Sequence, residues 1–252
     1  MPLSQELAES EFSLPMREPR ITVTYFPSIE AAAERAIGET NAPHHGAFIA
    51  LNAEKMVKLY KDPKLFSTVQ NVLYYPDGSS VLWFAGQAVP RIPGVELWLK
   101  ILEKVNNKGG EVLVIGATPE VSQNTYDKLF SSFSEIDLVC IDGFQPEETY
   151  FQQIEQTKPD AVFVAMGSPR QELMIAQLQT RHPHCFFMGI GGSLDVLTGK
   201  IKRAPWIFRK LGVEFLYRLL LEPSRIFRQT ALFKFVYYYF AGVFGVEKTQ
   251  SK

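Results

Sequence analysis

The sequence predicts an α/β fold, a Rossmann-like sandwich with a parallel sheet at its centre. From Phe48 onward, short β-rich apolar runs alternate with longer mixed stretches, and nearly every run ends in Gly, Asn or Asp. The runs are apolar throughout rather than alternately polar, as strands covered on both faces are. Pro93, Pro119 and Pro146 stand at or just before the starts of three intervening stretches, where a missing N–H costs a helix nothing.

Residues 1–20 read as a tail with four acidic groups and no apolar run of the kind a secretory signal needs. ITVTYF (21–26) and a helix over 28–37 form an edge unit. AFIALN (47–52) leads into a helix over 53–66, NVLYY (71–75) into one over 94–107, and EVLVIG (111–116) into one over 119–133. DLVCI (137–141), a helix over 147–157, AVFVAM (161–166), a helix over 169–181 and CFFMGI (185–190) complete a domain spanning 21–199. Residues 200–252 contain no strand-like run. Their cations and aromatics recur at helical spacing and predict two or three amphipathic helices, broken at Pro223, appended to the α/β domain over 200–252, with packing on the sheet or a subunit contact as the alternative to a membrane-facing role.

The 252 residues are 46% hydrophobic and 21% charged, enough apolar content for a sizeable core and too much for a disordered chain. The formal charge of −1 hides an asymmetry: residues 1–199 carry 15 basic and 24 acidic side chains, residues 200–252 carry 11 and 3. The acidic part would repel a polyanion and no nucleic-acid motif is present, so the basic appendage suits an anionic membrane surface better. The run 231–246 is shorter than the ~20 residues a spanning helix needs, and Lys234 interrupts it. Cys140 and Cys185 lie inside apolar runs, as small buried hydrophobes do, and a reducing cytoplasm fits them. Oligomeric state is not legible.

In an open parallel sheet, ligands bind beyond the carboxyl ends of the strands, beside helix N-termini that favour anions. The strand-end loops read NAEK (52–55), PDGSS (76–80), GATPE (116–120), DGFQPEE (142–148), MGSPRQE (166–172) and GIGGSLD (189–195), and five of the six contain glycine. They nominate Asn52, Glu54, Gly78, Gly116, Asp142, Gly143, Gly167, Pro169, Glu172, Gly191, Gly192 and Asp195 as substrate-binding positions, with Gly94 at a helix start. Asp77, after an apolar strand and before Gly78, is placed to take a proton from a hydroxyl; a helix cap or turn residue is the alternative, as it is for Asp142 and Asp195. Gln171 and Glu172 fall in a first helical turn, where Glu also suits the dipole. Arg91 and Arg203 offer the forked donors that suit a diphosphate, or else are solvated surface residues. No GxxxxGK[ST], HExxH, CxxC or DxD pattern occurs, and GIGGSLD follows the sixth strand instead of the first, so phosphate-loop, hydride-transfer and metal-site readings are disfavoured.

Taken in order, NAEK, PDG, RIPGVELW, DGFQP, MGSPRQE and GIGGSLDVLTGKIKRAPW with the following VEFLYRLL resemble the WecG/TagA/CpsF glycosyltransferase family over about residues 45–235. The resemblance is strongest to the branch that transfers N-acetylmannosaminuronic acid in enterobacterial common antigen synthesis. It implies an inverting, metal-independent transfer, without a cofactor, from a UDP-sugar donor to a polyprenyl-diphosphate-linked GlcNAc (undecaprenyl diphosphate) acceptor at the inner face of the cytoplasmic membrane. Asp77 would be the base, with Arg91 and Gln171 as catalytic partners. Arg218, Arg225 and Arg228 would close over the diphosphate. Ala50 stands where many relatives carry Thr, so that hydroxyl is missing. A UDP-N-acetylmannosamine transferase, and a non-catalytic nucleotide-binding protein at the membrane, are the competing readings; a uronic acid donor would call for an extra cation, which Lys55, Arg170 or Lys200 could supply.

Overall fold

A computed structural model describes residues 10–14, 21–38, 46–62, 69, 71–78, 81, 82, 90–201, 205, 208, 217 and 226–243, without the side chains of 10–14, 21, 22 and 226–229. One eight-stranded sheet organises them. Its strands are β1 (Ser10–Leu14), β2 (Ile21–Tyr25), β3 (Gly46–Leu51), β4 (Val72–Pro76), β5 (Glu111–Gly116), β6 (Asp137–Ile141), β7 (Ala161–Ala165) and β8 (Phe186–Gly189). They lie in the order β1-β2-β4-β3-β8-β7-β5-β6. The seven strands from β2 onward run parallel, and only β1 pairs antiparallel, with β2.

The helices are α1 (Ile29–Ala36), α2 (Ala53–Lys61), α3 (Gly94–Asn106), α4 (Pro119–Ser132), α5 (Glu147–Thr157), α6 (Arg170–Arg181), α7 (Ser193–Leu197) and α8 (Ile226–Phe240). Their starts are set locally. Ser28, Asn52 and Thr118 accept N–H bonds from the first turns of α1, α2 and α4, and Pro119 opens α4. The helix expected over 53–66 closes at Lys61, because Pro63 disfavours helical backbone at Asp62; residues 63–68 lie outside the described residues.

Successive strand residues face opposite ways, which builds two apolar layers. Ile49, Leu51, Leu113, Ile115, Val162, Val164 and Phe187 meet α2, α5, α6 and α8 on one face. Phe48, Val112, Val114, Phe163, Phe186 and Met188 meet α1, α3 and α4 on the other, around the fully buried Trp98. Each large side chain taken wholly out of water contributes about 1.5–3 kcal/mol, so the double coverage of β3, β7 and β8 dominates the stability of the sheet.

The α/β class and parallel sheet are as the sequence predicts. One feature differs. Ser10–Leu14, within the expected tail, forms edge strand β1, paired from Ser10↔Tyr25 to Leu14↔Ile21. In the expected appendage, α8 packs on the α/β core: Phe235 is buried, and the Tyr238 ring lies 4.8 Å from Tyr60 of α2. The expected break at Pro223 and the helix before it lie outside the described residues. Among the described residues, no helix is long and apolar enough to cross a membrane.

Candidate active site

After β5 the chain steps outward to β6, whereas after β7 it steps inward to β8, so strand order reverses between the adjacent β5 and β7. A crevice forms at such a reversal. Its floor needs glycine. Gly116 has φ +138°, and a β-carbon there would lie 2.4 Å from the Ala165 carbonyl oxygen on β7. Gly143 rides on the same turn: its N–H donates to Ala117 O at 2.9 Å, and a β-carbon would lie 3.2 Å from Gly116 Cα. Gly167 (φ +74°) and Gly191 (φ +53°) have open space beside them, so the backbone is bare where a ligand can approach. The first turns of α4 and α6 begin just beyond β5 and β7, adding helix N-termini that favour negative charge.

Asp77 follows β4 directly. The N–H groups of Asp77 and Gly78 donate to Leu51 O at 3.0 and 3.1 Å, which pins the turn to the end of β3. Asp77 Oδ1 accepts from Gly94 N–H at 3.0 Å and stands 3.7 Å from an Arg91 guanidinium nitrogen, while Arg91 Nε donates to the Asp77 carbonyl at 2.6 Å. One oxygen thus caps α3 from outside the helix, whose own preceding residue, Pro93, makes no side-chain cap. No described residue donates to Oδ2, and the side chain keeps 30% exposure. Behind it the buried Tyr75 hydroxyl has no hydrogen-bond partner among the described residues, and burial followed by the Asp77 charge pushes its ionisation well above the usual phenol range.

A second polar cluster crosses the ends of β3, β7 and β8. Glu172 is fully buried, its Oε1 2.9 Å from Lys55 Nζ and accepting from Gln171 Nε2 at 2.9 Å. Gln171, 2% exposed, accepts with its own Oε1 from Gly191 N–H at 3.0 Å. Burial alone would raise the Glu172 carboxyl. The Lys55 ammonium, with hydrogen bonding from Lys55 and Gln171 and the nearby Ser168 hydroxyl, outweighs that and holds it below the ordinary value of 4.5. Lys58 ties the same loop to α2, donating to Ser168 O at 3.0 Å and to Glu54 at 2.8 Å.

The remaining predicted residues divide between ligand-facing and structural positions. Asn52 caps α2 through Lys55 N–H at 2.9 Å, and Glu54 pairs with Lys58. Asp142 has both oxygens engaged, by Phe144 N–H and by Gln145 Nε2, in a closed turn that Arg170 braces through Gly143 O at 2.8 Å. Pro169 precedes α6 through a cis peptide bond, Gly192 precedes α7, and the half-buried Asp195 contributes its carbonyl to Ile201 N–H. Arg203, Arg218 and Arg225 lie outside the described residues. Arg228 lies on α8, its side chain not described. Sequence reasoning missed the pairing of Lys55 with Glu172, offering Lys55 instead as a cation for a sugar carboxylate. The signal was a lysine on the stripe shared with Leu59, where a charge needs a buried partner. Among the described residues no three His, Cys, Asp or Glu side chains gather as a metal site.

A parallel sheet with a glycine-lined reversal of strand order between β5 and β7, and a carboxylate fixed at the end of β4, is an arrangement that group-transfer enzymes of the nucleotide-binding α/β class use. Residues 20–248 match the Glycosyl transferase WecG/TagA/CpsF family, and the chain belongs to it. It is a glycosyltransferase of polysaccharide biosynthesis, and membership implies a nucleotide-sugar donor and a lipid-linked acceptor in general.

Proposed function

We propose that the enzyme moves N-acetylmannosaminuronic acid from UDP to a GlcNAc carried on undecaprenyl diphosphate, with inversion and without a metal, as in enterobacterial common antigen synthesis. The observation that carries this reading is the Asp77 carboxylate at the end of β4, one oxygen fixed by Gly94 N–H, the other taking no hydrogen bond from a described residue, and the side chain 30% exposed. Asp77 Oδ2 takes the proton of the acceptor 4-hydroxyl as that oxygen attacks the anomeric carbon, and UDP leaves from the opposite face. Arg91 and Gly94 hold the base in place. The charge that grows on UDP meets the N-termini of α4 and α6 and the arginines of the C-terminal segment, with Gly167 and Gly191, which have open space beside them, letting the diphosphate approach backbone. Of the three cations the sequence offers to a sugar carboxylate, Lys55 is committed to Glu172, which leaves Arg170 and Lys200.

The acceptor sits in a membrane, and α8 supports peripheral attachment to its inner face. Phe233, Tyr237 and Phe240 recur at helical spacing on the side of α8 away from the core and are 76, 68 and 80% exposed, with Lys234 exposed beside them. Aromatic rings with adjacent cations suit the headgroup layer of an anionic bilayer.

A transfer assay tests the reading, using the purified protein, a polyprenyl-diphosphate-GlcNAc acceptor, EDTA, and UDP-N-acetylmannosaminuronic acid or UDP-N-acetylmannosamine as donor. Product from the uronic acid donor alone is expected; product only from the other donor reassigns the sugar, and UDP binding without product from either leaves a non-catalytic nucleotide-binding protein. Asp77→Asn is expected to lower turnover by about 10²–10⁴-fold with UDP binding and melting temperature retained. Near-normal turnover in that variant removes Asp77 from the mechanism.

A further inference from the structure

We infer that Glu172 and Lys55 are positioning residues, which together fix the sense of the Gln171 amide and, through it, hold the loop after β8 against the crevice; the inference rests on the glycosyl-transfer reading above. An ionised carboxylate offers acceptors only, so Gln171 can face Glu172 only with its NH₂ group. Its carbonyl then points the other way, onto Gly191 N–H at 3.0 Å. A neutral group at 172 could meet either end of the amide, and the enforced sense would be lost.

The backbone is shaped for this contact. A β-carbon on Gly189 would lie 2.5 Å from Gln171 Nε2, so β8 ends in the residue that lets the amide pass. Lys55 comes from α2, immediately after β3, so the chain Lys55–Glu172–Gln171–Gly191 joins the ends of three adjacent strands, β3, β7 and β8.

Stability is a poor explanation for the pair. A wholly buried ion pair is often no better than well-packed apolar residues. This one also leaves Glu172 Oε2 and Ser168 Oγ buried without a hydrogen bond of normal geometry. An enforced direction is what apolar residues could not supply. The groups facing Glu172 are Lys55 from α2, Tyr74 from β4, Ser168 from the preceding loop and Gln171 from its own helix. Only Lys55 among them carries a positive charge, so the carboxylate depends on it.

Glycine-selective ¹⁵N labelling gives a readout at Gly191 that does not depend on catalysis. In folded Glu172→Gln protein the Gly191 amide is expected to exchange with solvent about tenfold faster or more, while turnover falls about tenfold or more and the donor KM stays within about threefold. Acidification of the wild type is expected to release the same amide as Glu172 takes up a proton. Gly189→Ala leaves every charge in place and displaces the amide by contact; it is expected to release Gly191 in the same way, and it serves if Glu172→Gln does not fold. Unchanged Gly191 protection in either folded variant, or release of Gly191 with wild-type turnover, overturns the inference. If the wild type transfers neither sugar, the functional reading falls and, with it, the catalytic consequence, whereas Gly191 protection still decides whether the pair orients the loop.

Discussion

The β-carbon that Gly116 lacks would collide with backbone, not with a side chain able to turn aside. It would stand 2.4 Å from Ala165 O at a φ of +138°, so the collision and the strained dihedral act together. Gly116→Ala is expected to destabilise the fold by about 3 kcal/mol, measured by urea denaturation. Gly167→Ala, with empty space around it and only its φ of +74° to oppose the change, is expected to cost about 1 kcal/mol. Equal effects at the two positions would show that the β5–β7 turn has room to give. The strand-end glycines and Asp77 were legible in the sequence because a strand followed by Asp-Gly or Gly-Ala-Thr-Pro has few ways to turn. The cap that Asp77 places on α3 was not, since the Gly94 N–H it holds is brought to it by tertiary packing alone. For the same reason Lys55 read as a cation for a sugar carboxylate: its partner belongs to another strand-helix unit.

At the scale of elements, α8 shows two unlike faces. Phe235→Ala empties a site filled at 2% exposure and is expected to cost about 3–5 kcal/mol, read from thermal or urea unfolding. Phe233→Ala, two residues away and 76% exposed, is expected to leave stability within about 0.5 kcal/mol while lowering cosedimentation with anionic vesicles. A loss of stability in Phe233→Ala with unchanged vesicle binding would assign that face to the fold. The core strands were legible to within a residue, because a fully covered strand must be a continuous apolar run with a turn at its end. β1 was not. Its five residues, SEFSL, alternate over too short a span to stand out, and the pairing with β2 that fixes them as a strand is tertiary. The return of α8 onto α2 was equally hidden, since its periodicity shows an apolar face but not what that face meets.

The whole molecule is held between two titrations. Glu172 has a folded-state value below its ordinary 4.5, so its contribution is complete above that pH and is lost as the pH falls through the lowered value. Glu111, raised by burial and then by Asp137 and Asp160, works oppositely and relieves a small repulsion as acid is added. On the alkaline side, burial pushes Cys140 and Cys185 from 9.0 to about 12, and Tyr25 and Tyr74 from 10.0 to about 12. These groups are neutral in the fold and ionise first in the unfolded chain, so stability declines from about pH 9 towards 12. Thermal melting followed across pH is expected to show a plateau between the two flanks, with the acid flank moved by Glu172→Gln and the alkaline flank softened by Cys140→Ser with Cys185→Ser. An alkaline flank unmoved by the cysteine changes would place the loss with the tyrosines.

Strand order also carries a consequence in time. β3 and β8 hydrogen-bond side by side at the middle of the sheet, yet one is among the earliest strands to leave a ribosome and the other the last of those described. Until Phe186–Gly189 has been synthesised, β3 has an open edge, and the β3–β4 side that carries Asp77 is not joined to the β5–β7 side that carries the crevice. A nascent or truncated chain that stops short of β8 therefore has no assembled site with which to consume activated sugar. Closing so long a loop also makes this pairing a late and slow step of folding.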